Sequence, residues 1–249
     1  MTDTPSDVSS DARRILGLLD LTDLGDSCTV DDVESLCRRA VTPHGSVAAV
    51  CIWPRFVRTA VAQLADTGVR VATVVNFPTG DEMVDAVVSS TRQALDDGAD
   101  EIDLVLPYRA FLAGDSKRVV AMLEGVREVV PASKHLKVIL ETGELVTDHH
   151  VMDAARIAIA HGADFVKTST GKTEVSATPH AVRSILEVIA ESDRPVGLKP
   201  SGGIRTLAAA REYLKLADVV MGPSWATSET FRFGASGLLD AVLEALGSS

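Results

Sequence analysis

Lys167 and Lys199 constrain the chemistry of this chain more than any other residues. Each sits near the end of a short apolar run, Asp164-Phe165-Val166-Lys167-Thr168 and Val196-Gly197-Leu198-Lys199-Pro200. Lysine is almost never fully buried unless it is paired. The two are 32 residues apart, about one strand–helix unit of a parallel barrel, so neighbouring strands can deliver both amines to one pocket. An isolated lysine titrates near 10.4, which leaves only about one amine in a few thousand neutral at pH 7. A second ammonium about 5 Å away, at an effective dielectric of about 20, adds roughly 3 kcal/mol of repulsion and lowers that value by roughly 2 pH units. Desolvation by the barrel wall pushes the same way. An amine brought to about 7 or 8 attacks a carbonyl and forms a Schiff base, an electron sink for making or breaking a carbon–carbon bond. Asp103, between Ile102 and Leu104, has the same character and would move protons and balance charge. The competing reading of the trio is a buried salt-bridge network that ties strands together.

Other chemistry-bearing residues fall at similar places. Asp20, Asn76, Glu141 and Ser201 stand at the ends of apolar runs, and Cys51 lies within one. Glu141 either closes its strand or organises the lysines. Cys51 reads as small core packing, sensitive to electrophiles if it lies near the site mouth. Pro200-Ser201-Gly202-Gly203-Ile204-Arg205-Thr206 leads into a helix, and its glycines allow backbone N–H groups to approach an oxyanion while Arg205 adds charge. Arg232-Phe233-Gly234-Ala235-Ser236-Gly237-Leu238 offers a second helix start of this kind, and Gly171-Lys172 another cation. A Gly-Gly step is weak on its own. Two such loops after the last two strands of a barrel make phosphate the better reading. His149-His150 lack metal-ligand spacing and read as a solvated helix start; Trp225 and Phe231 read as loop packing.

The elements that would hold these residues recur in order. Short β-rich runs are expected at 18–21, 47–53, 69–76, 101–106, 136–141, 164–168, 196–199 and 218–221, most starting about 25 to 35 residues apart with helical patterns between them. Thr178-Pro179 is a helix start, and Asp81 and Thr206 are placed to cap the helices that follow. The alternation predicts an α/β TIM-type (β/α)8 barrel with an extra N-terminal helix around 10–18, the whole of 1–249 forming one domain and 1–9 a disordered tail. An open doubly wound sheet shares the alternation, but no Gly-x-Gly-x-x-Gly follows an early strand. With 249 residues, 46% of them hydrophobic, the chain can fill one such core. A formal net charge of −11 argues against nucleic-acid and anionic-membrane partners. The odd set Cys28, Cys37 and Cys51, with no signal-like or membrane-spanning segment, suits a soluble cytoplasmic protein with reduced thiols.

Taken in order, Leu19-Asp20-Leu21-Thr22, Val75-Asn76-Phe77-Pro78, Glu101-Ile102-Asp103-Leu104-Val105, Pro107-Tyr108-Arg109, Lys137-Val138-Ile139-Leu140-Glu141-Thr142-Gly143-Glu144-Leu145, Phe165-Val166-Lys167-Thr168-Ser169-Thr170-Gly171-Lys172 and Lys199-Pro200-Ser201-Gly202-Gly203-Ile204-Arg205 resemble the deoxyribose-phosphate aldolase family. The likeness runs from about residue 15 to 246. It implies a class I aldolase, without metal or cofactor, that reversibly cleaves 2-deoxy-D-ribose 5-phosphate into D-glyceraldehyde 3-phosphate and acetaldehyde in deoxynucleoside catabolism. By motif position Lys167 would form the Schiff base, Lys199 would depress its pKa, and Asp103 would exchange protons through a water. Asp20, Thr22, Cys51, Thr168 and Glu141 would support them. Gly171, Lys172, Gly202, Gly203, Arg205, Gly234 and Ser236 would hold the phosphate. Such enzymes are homodimers or homotetramers. Two departures stand out: some members have Ser-Ser where this chain has Ser236-Gly237, which predicts a weaker phosphate cradle. Some end in a tyrosine implicated in proton transfer, where this sequence reads Gly247-Ser248-Ser249, leaving Asp103 and water to suffice. A different lysine aldolase or transaldolase, and a non-catalytic sugar-phosphate-binding barrel, are the alternatives.

Overall fold

Parallel strands buried on both faces need continuous apolar runs and a covering helix each. The computed structural model, which describes residues 5–247, meets that demand eight times. The strands are β1 (Leu19–Asp23), β2 (Ala49–Ile52), β3 (Arg70–Val75), β4 (Glu101–Val105), β5 (His135–Ile139), β6 (Phe165–Lys167), β7 (Gly197–Lys199) and β8 (Phe233–Ala235). Each pairs in parallel with its sequence neighbour, and β8 pairs with β1. Bridges Leu198–Phe231 and Ser201–Gly234 join β7 to the β8 segment and complete the ring. The expected (β/α)8 barrel is therefore present.

Register decides which side chains meet. Asp103 of β4 lies beside Lys137 of β5, and Lys167 of β6 beside Lys199 of β7. Because strand side chains alternate with period two, Glu101 and Asp103 share the inner face of β4, one layer apart. Apolar neighbours such as Ile102, Leu104, Leu136, Val138, Val166 and Leu198 are fully buried on the opposite face, under the helices.

Helix starts follow local chemistry. Thr178 and Thr206 cap the helices Pro179–Ala190 and Leu207–Met221 as their sequences predict. Asp81 does not cap; its carboxylate accepts from Arg109 at 2.5 Å, and the following helix, Val84–Asp96, begins at Met83 without a side-chain cap. The N-terminal helix, Pro5–Leu16, starts earlier than expected, so the second half of the proposed 1–9 tail is helical, while residues 1–4 lie outside the described residues. Arg14 anchors this helix by two 2.7 Å bonds to Asp218. Among the described residues no helix is long and apolar enough to cross a membrane.

One strand expectation fails. Residues 218–221, expected as the eighth strand, are the last turn of the helix Leu207–Met221. The β-branched Val219-Val220 pair favours a strand locally, but Ala210, Tyr213, Leu214 and Ala217 form a buried stripe at helical spacing that carries the helix on to Gly222. The true β8 is three residues long and contains glycine, which hid it. Gly234, expected in the loop beyond the last strand, is inside that strand.

Candidate active site

The C-terminal ends of the strands open into a cavity of about 630 Å³ lined by Thr22, Lys167, Lys172, Arg205 and the loops 170–172, 201–205 and 234–237. Every residue expected at the phosphate site lies on it: Gly171, Lys172, Gly202, Gly203, Arg205, Gly234 and Ser236. Gly202, at φ +86°, packs so closely that a Cβ would come within 2.5 Å of Ser176 and 3.2 Å of the Gly171 Cα. A Cβ on Gly234 would come within 2.6 Å of Ser201 and 3.1 Å of the Lys199 side chain. Both glycines thus keep backbone close to the site. Arg205 is exposed and has no ion-pair partner among the described residues, whereas Lys172 is held by Asp26 at 3.0 Å.

Below the cavity the barrel is filled with charge instead of Val, Ile and Leu. One oxygen of Asp103 accepts from both Lys167 and Lys199 at 2.8 Å, so the two amines lie within twice that distance of each other. The other oxygen accepts from Lys137 at 2.9 Å. Lys199 also meets Asp20 at 2.5 Å, and Arg232 bridges Asp20 (2.6 Å) and Glu101 (2.9 Å). Lys137 bonds Glu101 as well. All of these side chains are buried, and only Lys167, 3% exposed, reaches the cavity.

Behind Lys167, opposite charges hold one another in the ionised form. Burial works against the charge on Asp103, but attraction from Lys137, Lys167 and Lys199 outweighs it and holds the carboxyl well below its ordinary range. Glu101 is lowered likewise against burial by Lys137 and Arg232, and Asp20 by Lys199, Arg232 and Lys137. Burial alone would lower Lys137 and Lys199, yet Asp103 with Glu101 for the first, and with Asp20 for the second, raises both. Lys199 is therefore a fixed cation beside Lys167.

The remaining expected residues take varied places. Thr22 donates to the Asp20 carbonyl at 2.8 Å and lines the cavity. Thr168 ties the β6 and β7 loops together, accepting from the Ser201 N–H at 3.0 Å. Cys51 is buried with its sulfur 3.9 Å from Asp103. Burial pushes its thiol up, and Leu24, Ala72, Val74, Trp53 and Phe77 pack around it, as suits core packing. The hydrogen bonds of the Glu141 carboxylate go to Thr170 and not to a lysine. The Glu141 backbone turns left-handed at φ +58°, which aims the carboxylate at the N–H and hydroxyl of Thr170, where it props the loop that carries Gly171 and Lys172. Burial raises its pKa. Three members of the charged interior were not singled out from sequence: Lys137, Glu101 and Arg232. Lys137 interrupts the apolar run Leu136-Lys137-Val138 as Lys167 does its own, and Glu101 stands two before Asp103, so both signals were present. Arg232 opens the segment expected as the loop after the last strand, with no signal of its own.

Fold and site together define a barrel enzyme that presents one lysine amine at the mouth of a buried charge cluster, with glycine-rich loops set beside it. The sequence profile of the DeoC/LacD family aldolases matches residues 9–240. A protein of Agrobacterium fabrum named deoxyribose-phosphate aldolase is 54% identical over 236 residues, covering 94% of this chain and 91% of that protein. A Toxoplasma gondii structure provisionally identified as a deoxyribose-phosphate aldolase superposes with a TM-score of 0.91 at 28% identity, covering 98% of this chain and 97% of that one. A tetrameric deoxyribose phosphate aldolase from Aeropyrum pernix shares the fold, with a TM-score of 0.76 at 24% identity over 99% of both chains. The chain belongs to the DeoC/LacD family of class I, Schiff-base aldolases.

Proposed function

We propose that this enzyme reversibly cleaves 2-deoxy-D-ribose 5-phosphate into D-glyceraldehyde 3-phosphate and acetaldehyde, with Lys167 as the Schiff-base lysine. The observation that carries the assignment is that, of the buried lysines, Lys167 alone reaches the cavity. Its amine adds to the C1 aldehyde of the open-chain sugar and expels water, giving an iminium. A base removes the proton of the C3 hydroxyl, the C2–C3 bond breaks, and its electron pair moves into the iminium to leave an enamine. The C3 fragment departs as glyceraldehyde 3-phosphate. Protonation of the enamine at C2 and hydrolysis of the iminium release acetaldehyde and restore the amine. Asp103, ionised and beside Lys167, exchanges the protons through a water. Lys199 contributes positive charge and holds Asp103 in place.

The phosphate lies against the backbone of Gly202, Gly203 and Ser236, with Gly171 and Gly234 keeping the surrounding loops close and Arg205 and Lys172 supplying charge. Lys172 leaves Asp26 or shares it when the anion binds. The reading extends to a single catalytic domain acting in the cytoplasm in deoxynucleoside catabolism, assembled as a homodimer or homotetramer. The test is reductive trapping: acetaldehyde or substrate with borohydride gives a stable adduct that a tryptic map places on Lys167. An adduct on another residue, or none, would defeat the assignment. Comparing acetaldehyde with dihydroxyacetone phosphate as donor separates this activity from that of a longer-chain lysine aldolase.

A further inference from the structure

The six charges behind Lys167 form a closed ring of alternating sign. Lys199 meets Asp20 at 2.5 Å, and Asp20 meets Arg232 at 2.6 Å. Arg232 meets Glu101 at 2.9 Å, Glu101 meets Lys137, Lys137 meets Asp103 at 2.9 Å, and Asp103 returns to Lys199 at 2.8 Å. Three cations and three anions cancel. Lys167 is attached to this ring through Asp103 but is not part of it.

We propose that Lys137, Glu101 and Arg232 are positioning residues: they close a neutral ring that holds Asp103 and Lys199 fixed while Lys167 changes charge during the reaction. The proposal rests on Lys167 being the reacting lysine. Its argument is one of cost and geometry. Six buried charges are no more stabilising than apolar residues of similar volume, and often less so. An interior filled with Val, Ile and Leu would hold these strands together as well. The ring supplies something an apolar layer cannot. Lys137 occupies one Asp103 oxygen and Lys199 the other, so the carboxylate cannot rotate when Lys167 becomes an imine or an enamine. The lower side is anchored too, because Glu101 also accepts from Arg70 at 3.2 Å and faces His135 at 3.3 Å, both near Glu229. Arg232 spends one guanidinium nitrogen on Asp20 and the other on Glu101, a planar two-nitrogen fork that a single lysine amine does not reproduce.

The experiment compares the full-length enzyme with K137M and with K137M combined with E101Q. K137M removes one cation and leaves the ring with an uncompensated anion. The double variant removes one charge of each sign and restores neutrality. For K137M, kcat is expected to fall about 100-fold, the effect of roughly 1 Å of misplacement. KM for the sugar phosphate should stay within about twofold, because uniform binding is untouched. The double variant is expected to recover about tenfold in kcat, since the two residues act as one network. Affinity for inorganic phosphate, which the separate loops bind, reports that each variant is folded. If K137M does not fold, R232K replaces it as the probe: it keeps the charge but trades the two-nitrogen fork between Asp20 and Glu101 for one amine, and kcat should again fall while KM holds. An unchanged kcat, a matching rise in KM, or a double variant worse than K137M would overturn the ring's role. Borohydride trapping of the wild type separates the two claims: an adduct on Lys167 with kcat unaffected by the ring variants defeats only this inference, and no adduct defeats the Lys167 assignment beneath it.

Discussion

The two ends of the substrate cavity are built on opposite principles. At the reacting end, Asp20, Glu101, Asp103, Lys137, Lys199 and Arg232 are buried, rooted in or beside strands, and paired on several sides. At the end proposed for the phosphate, Gly171, Gly202, Gly203 and Gly237 present backbone on loops, and the cations Arg205 and Lys172 are exposed, Lys172 paired with Asp26. Bond cleavage needs groups held to fractions of an ångström, which strands provide. Anion capture needs N–H groups and charge that can close around a solvated ligand, which glycine loops provide. Substitutions at the first end should therefore change turnover, and those at the second should change binding.

The largest effect is expected for Lys199→Leu. Removing this cation should lower kcat by roughly 1,000-fold, as for loss of a preorganised charge at a reacting centre. Leaving Asp20 and Asp103 short of a partner should cost about 3–5 kcal/mol in stability. Steady-state kinetics and chemical denaturation check both, and unchanged turnover would erase the contrast between the two ends.

Stability against pH is the next probe. Asp20, Glu101 and Asp103 titrate below their ordinary values in the folded state. Their contribution is therefore complete above about pH 4.3 and is lost as pH falls through the folded values. Lys137 and Lys199 are raised, so theirs is complete below about pH 10.4 and is lost as pH rises through the folded values. The melting temperature is expected to be flat between about pH 5 and 9 and to fall outside that window. In Lys199→Leu the acid fall should be shallower. An equal slope in both proteins would mean that the ring does not govern it.

At the phosphate end, Arg205→Gln should raise KM for the sugar phosphate roughly 10- to 100-fold, the worth of a charge-assisted bond, with kcat nearly kept. A matching loss of kcat would show that the two ends are coupled. The smallest effect should come from Gly237→Ser. A Cβ there meets nothing within 4 Å and the backbone is not left-handed, so the hydroxyl fits. It should lower KM by roughly two- to tenfold, and an unchanged KM would show that this position lies beyond the phosphate's reach.

The comparison also explains what could be read from the chain. A lysine or aspartate in an apolar strand is conspicuous because burial makes it costly, so Lys167, Lys199 and Asp103 were legible as a set, although any one of them alone reads better as a buried ion-pair member. Lys137 and Glu101 carried the same mark, but their partners lie on other strands and were not visible as pairs. Arg232 carried no mark while the strand beside it was expected at 218–221, since a three-residue strand containing glycine leaves little pattern. Glu141 was open between closing its strand and organising the lysines, because the chain does not show its left-handed backbone or its bonds to Thr170.

The sequence by itself determined the alternation of strand and helix, the setting of two lysines in apolar strands, and the glycine-rich loops near them, because each depends on residue type and spacing along the chain. Only the tertiary structure decided that Asp103 joins two lysines through one oxygen and a third through the other, and that Arg232 completes the ring with Glu101 and Asp20. Those contacts follow from parallel register and barrel closure, which bring together residues more than 200 positions apart. Local propensity carries no record of such distances.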